Sequence, residues 1–217
     1  MNLQKNNEMN SKIGVVDYGM GNIMSVFNAL KHLGYENIKL VDTAKTVDSS
    51  DVLILPGVGA FTDAMNNLKN RGMIEPLNQH VIEMKKPILG ICLGMQLFLE
   101  YSYEGKGAKG LGWIKGEVLR FNLEKEFRVP HMGWDTILFD RKSEIFDGID
   151  KDDNFYFVHS YFADCDEEDI LASCEYGINF AAAIKKDNMI AFQFHPEKSY
   201  LNGLKLLDNS IKNLIGS

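Results

Sequence analysis

The sequence predicts an α/β fold: a doubly wound, mostly parallel sheet flanked by helices, with added antiparallel strands in the second half. Three observations carry this expectation. Short apolar, β-branched runs alternate with amphipathic helical patterns as far as Tyr101, an order that implies parallel strands with helical crossovers. Strand-like runs then follow one another without a helical pattern between them, as in antiparallel ribbons. Finally, 217 residues with 45% hydrophobic content are enough to bury a core as one domain.

The elements follow in order. Ile13–Tyr18 is a β-branched run that ends in the turn Gly19-Met20-Gly21-Asn22. Ile23, Val26, Phe27, Leu30 and Leu33 then recur at helical spacing, with Asn22 placed to cap the helix and Gly34 to stop it. Ile38–Val41 and Val52–Leu55 are two further strands, and Pro56-Gly57-Val58-Gly59 ends the second. Helices are expected over 60–70 and 74–84, a buried strand over 87–91, and a helix over 93–101. In the second half, strands are expected at Val118–Phe121, Thr136–Phe139, Phe155–Val158, Ile170–Cys174, Ala181–Ile184 and Ile190–Phe194. Leu201, Leu204, Leu207 and Ile211 signal a last helix. Residues 1–11 are polar and read as a flexible N-terminal extension without the apolar segment of a signal peptide. Residues 12–217 read as the single domain.

Composition limits the function. A net charge of −7 without a basic cluster argues against nucleic acid or a membrane surface as partner. No apolar run approaches the roughly 20 residues needed to span a bilayer. Three scattered cysteines, Cys92, Cys165 and Cys174, make neither a disulfide framework nor a metal site. The expected setting is a reducing cytoplasm, where cysteine chemistry is thiolate chemistry.

Gly90-Ile91-Cys92-Leu93-Gly94 is a G-x-C-x-G elbow between a buried strand and a helix. Its glycines permit a sharp turn that projects the cysteine. The N-terminus of the following helix favours thiolate and offers the Leu93 N–H to an oxyanion. A lone cysteine is more often a small buried hydrophobe, but the paired glycines point to a nucleophile. His195 stands at the end of an apolar strand, two residues before Glu197 with Pro196 between them. On an extended segment the two side chains share a side. Glu197 would then orient His195 to take a proton from Cys92. Either half alone is weak; together they make a Cys–His–Glu triad. The Pro56–Phe61 turn could present the Val58 N–H as a second oxyanion donor.

Gly90–Gln96, Pro56–Phe61 and His195-Pro196-Glu197 together resemble the class I (triad) glutamine amidotransferases. Within that family the chain is most similar to the branch whose glutaminase subunit serves a cyclase barrel making imidazole glycerol phosphate in histidine biosynthesis. The likeness runs over nearly the whole chain after residue 11. It is most specific at Asp17–Asn22, Pro130–Trp134, Tyr156–Tyr161 and His195–Ser199. The resemblance implies that L-glutamine is the substrate and that no metal or organic cofactor takes part. It implies a heterodimer with the synthase subunit, which receives the ammonia. Gly57, Gln96, His159, Ser160 and Tyr161 would line the glutamine pocket, with Val58 and Leu93 as oxyanion donors. Asn22, Trp134, Tyr161 and Lys198 would face the partner. The chain departs from the family at Asp135, where asparagine is usual.

Three other functions share some of these features: a subunit supplying ammonia to a sugar-modifying synthetase, a catalytically silent regulatory subunit, and a partner-independent cysteine hydrolase. Cys165 and Cys174 are expected to be structural, His32 and His80 to lie on the surface, and Asp164–Asp169 to form a solvated loop. His131 is open between a structural role and the partner face.

Overall fold

The structure is a computed structural model that describes residues 11–140 and 142–216. The expected N-terminal extension therefore lies outside the described residues, apart from Ser11. Strand β1 (Ile13–Val16) leads into helix α1 (Ile23–His32), which Asn22 caps by accepting from the Ser25 N–H at 3.3 Å. Then come β2 (Ile38–Val41), a short helix α2 (Ala44–Asp48) with a Thr43–Thr46 capping box, and β3 (Val52–Gly57). Helices α3 (Phe61–Asn70) and α4 (Ile74–Asn78) follow, the second passing into a π turn over Gln79–Glu83. Strand β4 (Ile88–Cys92) feeds helix α5 (Leu93–Leu97).

Six strands of the second half come next: β5 (Leu99–Ser102), β6 (Ala108–Lys109), β7 (Ile114–Arg120), β8 (His131–Thr136), β9 (Leu138–Phe139) and β10 (Asn154–His159). β11 (Tyr161–Cys165), β12 (Ile170–Glu175), β13 (Asn179–Lys186), β14 (Met189–Phe192) and helix α6 (Tyr200–Gly216) complete the chain.

The main sheet has the order β2-β1-β3-β4-β14-β13-β12-β9. Its first five strands are parallel and the last three run antiparallel to their neighbours. The expected fold class is therefore the observed one. Alternate residues of the parallel strands feed two apolar layers: Val52 and Ile54 pack with Leu30, Phe192 and Leu207, whereas Leu53 and Leu55 pack with Phe61, Leu68 and Leu97.

The second half is less simple than expected. β10 and β8 form a two-stranded ribbon, and β11, β7, β5 and β6 form a separate four-stranded sheet. The helix expected over 93–101 stops at Leu97. Its C-terminal carbonyls are taken from outside the helix: Leu97 O accepts from the Leu111 N–H at 2.8 Å, and Phe98 O from Trp113 and Ile114 at 2.9 and 3.0 Å. That capture turns the chain into β5. Strands β8 and β11 also lie where none was expected. The segment 164–169 is solvated at Asp164 and Asp166–Glu168, as expected, but it is a strand end and a 3₁₀ turn rather than a loop, and its Asp169 is buried and holds Lys186 at 2.8 Å. His32 is exposed, but His80 is buried and desolvation pushes its ring down to about 4. Among the described residues no helix is long and apolar enough to cross a membrane.

Candidate active site

Cys92 closes β4 with φ 55° and ψ −110°, an uncommon conformation for a residue with a side chain. Close packing holds it there. A Cβ on Gly94 would stand 1.8 Å from Leu55 O, so only glycine lets the first turn of α5 press against β3. The Cys92 side chain remains 7% exposed, at the bottom of a pocket of about 320 Å³. The register Gly57↔Cys92 sets the end of β3 beside the elbow, which brings Val58 and Gly59 to the same pocket. Gly57 itself is buried under Leu93 and the Tyr18 hydroxyl, where a Cβ would come within 2.4 Å of that oxygen.

His195 reaches the pocket from the next strand, since β14 pairs with β4. Its backbone N–H donates to Tyr156 O at 2.9 Å, and Ser199 Oγ donates to His195 O at 2.6 Å. Nδ1 lies 2.9 Å from Glu197 Oε1, and both side chains are 2% exposed. The pairing assigns the hydrogen to Nδ1 and leaves Nε2 as the acceptor. Among the described residues Nε2 meets no nitrogen or oxygen partner, which leaves it to the neighbouring Cys92 thiol. Burial opposes charge on the ring, but the neighbouring Cys92 and Glu197 outweigh it, and His195 is pushed up to about 9. The pair meets by a route different from the expected extended one: Pro196–Lys198 is a 3₁₀ turn.

The remaining pocket wall comprises Leu93, Gln96, Glu104, Pro130, Val158, His159, Ser160 and Tyr161. Every residue expected to contact glutamine therefore lines it except Gly57, which backs it from beneath. Gln96 Nε2 donates to Tyr161 O at 2.8 Å and to Gln193 Oε1 at 3.0 Å, and Gln193 Nε2 points at Cys92 Sγ from 3.7 Å. Gln193 and Glu104 were not anticipated. The alternation Gln193-x-His195-x-Glu197 held the signal for the first. The second stands beside Gly105 and Gly107 and caps α3 by accepting from the Phe61 N–H at 2.7 Å.

Of the residues expected at a partner face, Tyr161 lines the pocket, Asn22 and Trp134 are exposed, and Lys198 is half-buried. Trp134, 42% exposed, stacks on Tyr200 at 4.9 Å, and Lys198 Nζ lies 6.0 Å from the Tyr156 ring centre. Cys165 and Cys174 are pushed up to about 11 and about 12, in each case chiefly by burial, so both are held as thiols. Among the described residues no group of three or more His, Cys, Asp or Glu could hold a metal ion.

Comparison with known proteins gives the family and the fold. The family model described as glutamine amidotransferase class-I matches residues 14–214. Imidazole glycerol phosphate synthase subunit HisH 1 of Campylobacter jejuni strain RM1221 is 47% identical over 92% of this chain and 99% of its own. The HisH subunit of Aquifex aeolicus is 47% identical over 90% of this chain and 93% of its own. Two solved structures share the fold. One, described as a glutamine amidotransferase, superposes with a TM-score of 0.71 at 20% identity, covering 95% of this chain and all of the other. PurLQS from Thermotoga maritima gives a TM-score of 0.71 at 18% identity over 94% and 99% of the two chains.

Proposed function

The chain belongs to the class-I glutamine amidotransferases, and from that premise we propose that it is the glutaminase subunit of an imidazole glycerol phosphate synthase. In this reading residues 12–217 act as one amidotransferase domain, in the cytoplasm, as a heterodimer with a cyclase-barrel subunit. The single observation that carries the chemistry is the buried His195–Glu197 pair, whose free Nε2 stands beside Cys92 at the bottom of the pocket. The HisH relatives at 47% identity supply the choice of synthase.

The steps follow from the geometry. Cys92 Sγ attacks the side-chain carbonyl carbon of glutamine, and the oxyanion takes the Leu93 and Val58 N–H groups. His195, as imidazolium, gives its Nε2 proton to the leaving ammonia, and a glutamyl thioester remains. His195 then accepts a proton from water, the thioester is hydrolysed, and glutamate leaves. Glu197 keeps the ring in the required tautomer throughout. Glu104 offers a carboxylate, and His159, Ser160 and Tyr161 offer polar groups, to the amino-acid end of the substrate. Ammonia then passes to the partner across the face that carries Asn22, Trp134 and Lys198.

The test uses the purified chain with its cognate synthase subunit and that subunit's ligand. Glutamate release should be strong with the loaded partner and abolished in Cys92→Ala. A diazo-ketone analogue of glutamine should label Cys92. Absence of glutamate from the loaded wild-type complex would overturn the reading, and release driven instead by a sugar-modifying synthetase would reassign the acceptor.

A further inference from the structure

Behind the pocket wall, four groups form an unbroken chain. Asp135 Oδ2 lies 3.1 Å from His131 Nε2, His131 Nδ1 lies 3.2 Å from His159 Nε2, and His159 Nδ1 lies 2.8 Å from Tyr161 O. Both ends, a carboxylate oxygen and a carbonyl oxygen, are acceptors. Three hydrogen bonds need three hydrogens, yet two neutral imidazoles carry only two. The carbonyl fixes the hydrogen on His159 Nδ1, so His159 Nε2 can only accept, and a neutral His131 can serve His159 through Nδ1 or Asp135 through Nε2 but not both. The missing hydrogen therefore belongs on the His131 ring. Without it one link of the chain sets two lone-pair-bearing atoms against each other.

From this count we propose that Asp135 is a positioning residue for the glutamine pocket, acting through a proton-dependent chain that runs by His131 to His159. The chain reaches the substrate wall directly. His159 lines the pocket, and Tyr161 O, the end of the chain, also accepts from Gln96, which in turn holds Gln193 beside Cys92. The strands transmit any change, because β8 and β10 pair in the register His131↔His159 and Asp135↔Phe155. His131 has little freedom to turn away: its ring is stacked between Phe157 at 4.8 Å and Tyr176 at 3.9 Å and is 2% exposed.

The surroundings decide when the third hydrogen is present. Phe121, Phe157, Tyr176 and Phe180 enclose His131, and the Tyr176 hydroxyl is turned away to Arg128 O. Cys174, which feels the Asp135 charge, is held as a thiol. Burial, only partly offset by Asp135, holds His131 below the ordinary histidine range, while burial pushes His159 down to about 3 and keeps it neutral, the charges of His131 and His195 adding to that effect. The third hydrogen is thus bound in acid, below the ordinary histidine range, and leaves as pH rises, when one link at His131 opens.

An amide at 135 would supply the hydrogen from the other end at every pH, so Asp135→Asn separates the effect from that of His195, which titrates identically in both proteins. The inference rests on the glutaminase reading and is tested in the synthase complex. The KM for glutamine of wild type relative to Asp135→Asn should be near unity at the acid end of the range in which the complex is active and about five-fold higher at neutral pH, the worth of one hydrogen bond. A ratio that stays constant with pH, while wild type releases glutamate and Cys92→Ala does not, overturns the inference and leaves the glutaminase reading standing. Nitrogen-15 imidazole shifts of the wild-type complex give an answer independent of turnover. His131 should pass from one ring hydrogen to two on acidification through this range. A ring that keeps both hydrogens, or only one, throughout it would overturn the inference.

Discussion

The Cys92 elbow and the His131–Tyr161 wall stand on opposite sides of one pocket and are built on opposite principles. The elbow is fixed by close packing: a strained backbone at Cys92, glycine against carbonyl at Gly94, and parallel strands on either side. The wall is fixed by polar chains, with Asp135, His131, His159, Tyr161, Gln96 and Gln193 each within hydrogen-bond distance of the next. Packing yields little until it fails altogether, whereas a hydrogen-bond chain can be adjusted by a single proton. The nucleophile therefore sits on the rigid side, and the substrate contacts sit on the side that can respond.

Substitutions that break this contrast should differ in size. Gly94→Ala forces a Cβ to within 1.8 Å of Leu55 O. The backbone cannot give way without separating α5 from β3, so a loss of stability of about 4 kcal/mol or more is expected in denaturant unfolding. Glu197→Gln leaves the fold intact but loses the carboxylate that orients and charges His195. A fall in partner-stimulated kcat of about 10²–10⁴-fold is expected by steady-state assay, with KM changed much less. On the wall, Gln193→Leu removes the bridge between Gln96 and Cys92. One buried partner left unpaired should cost about 1–3 kcal/mol, read as a rise in KM for glutamine and a matching loss of stability.

A further effect concerns acid. His80 and His159 are buried neutral, with values near 4 and 3, and the unfolded chain protonates both near 6.5. Their lowered values favour the folded state above about 6.5, and that advantage is lost as pH falls from there towards 4 for His80 and 3 for His159. Stability measured by urea titration should decline across that window, and His80→Gln should decline less steeply.

The same contrast explains what could be read from the sequence. The parallel half was legible because its strands are buried on both faces as apolar runs, and because Asn22, Gly34 and the Pro56–Gly59 turn mark element ends by local chemistry. The elbow and the His195–Glu197 pair were legible as short motifs. The wall was not. The strand His131–Thr136 contains Gly133 and no clean alternation, and it forms because Asn154–His159 pairs with it. The helix expected over 93–101 ended early because Leu111–Ile114, remote in sequence, took its carbonyls. Buried His80, Asp169 and Gln193 owe their positions to neighbours that no local pattern names.

The central claim is that His195 works as the charged partner of Cys92 because Glu197 holds it. The most direct measurement is the pH dependence of kcat for the partner-stimulated glutaminase. With His195 raised to about 9, the imidazolium that protonates ammonia persists below that pH and is lost above it. The wild-type activity should therefore fall on an alkaline limb near 9. In Glu197→Gln, which keeps Cys92 but loses the other group that raises the ring, that limb should move to lower pH. The same limb in both proteins would contradict the triad.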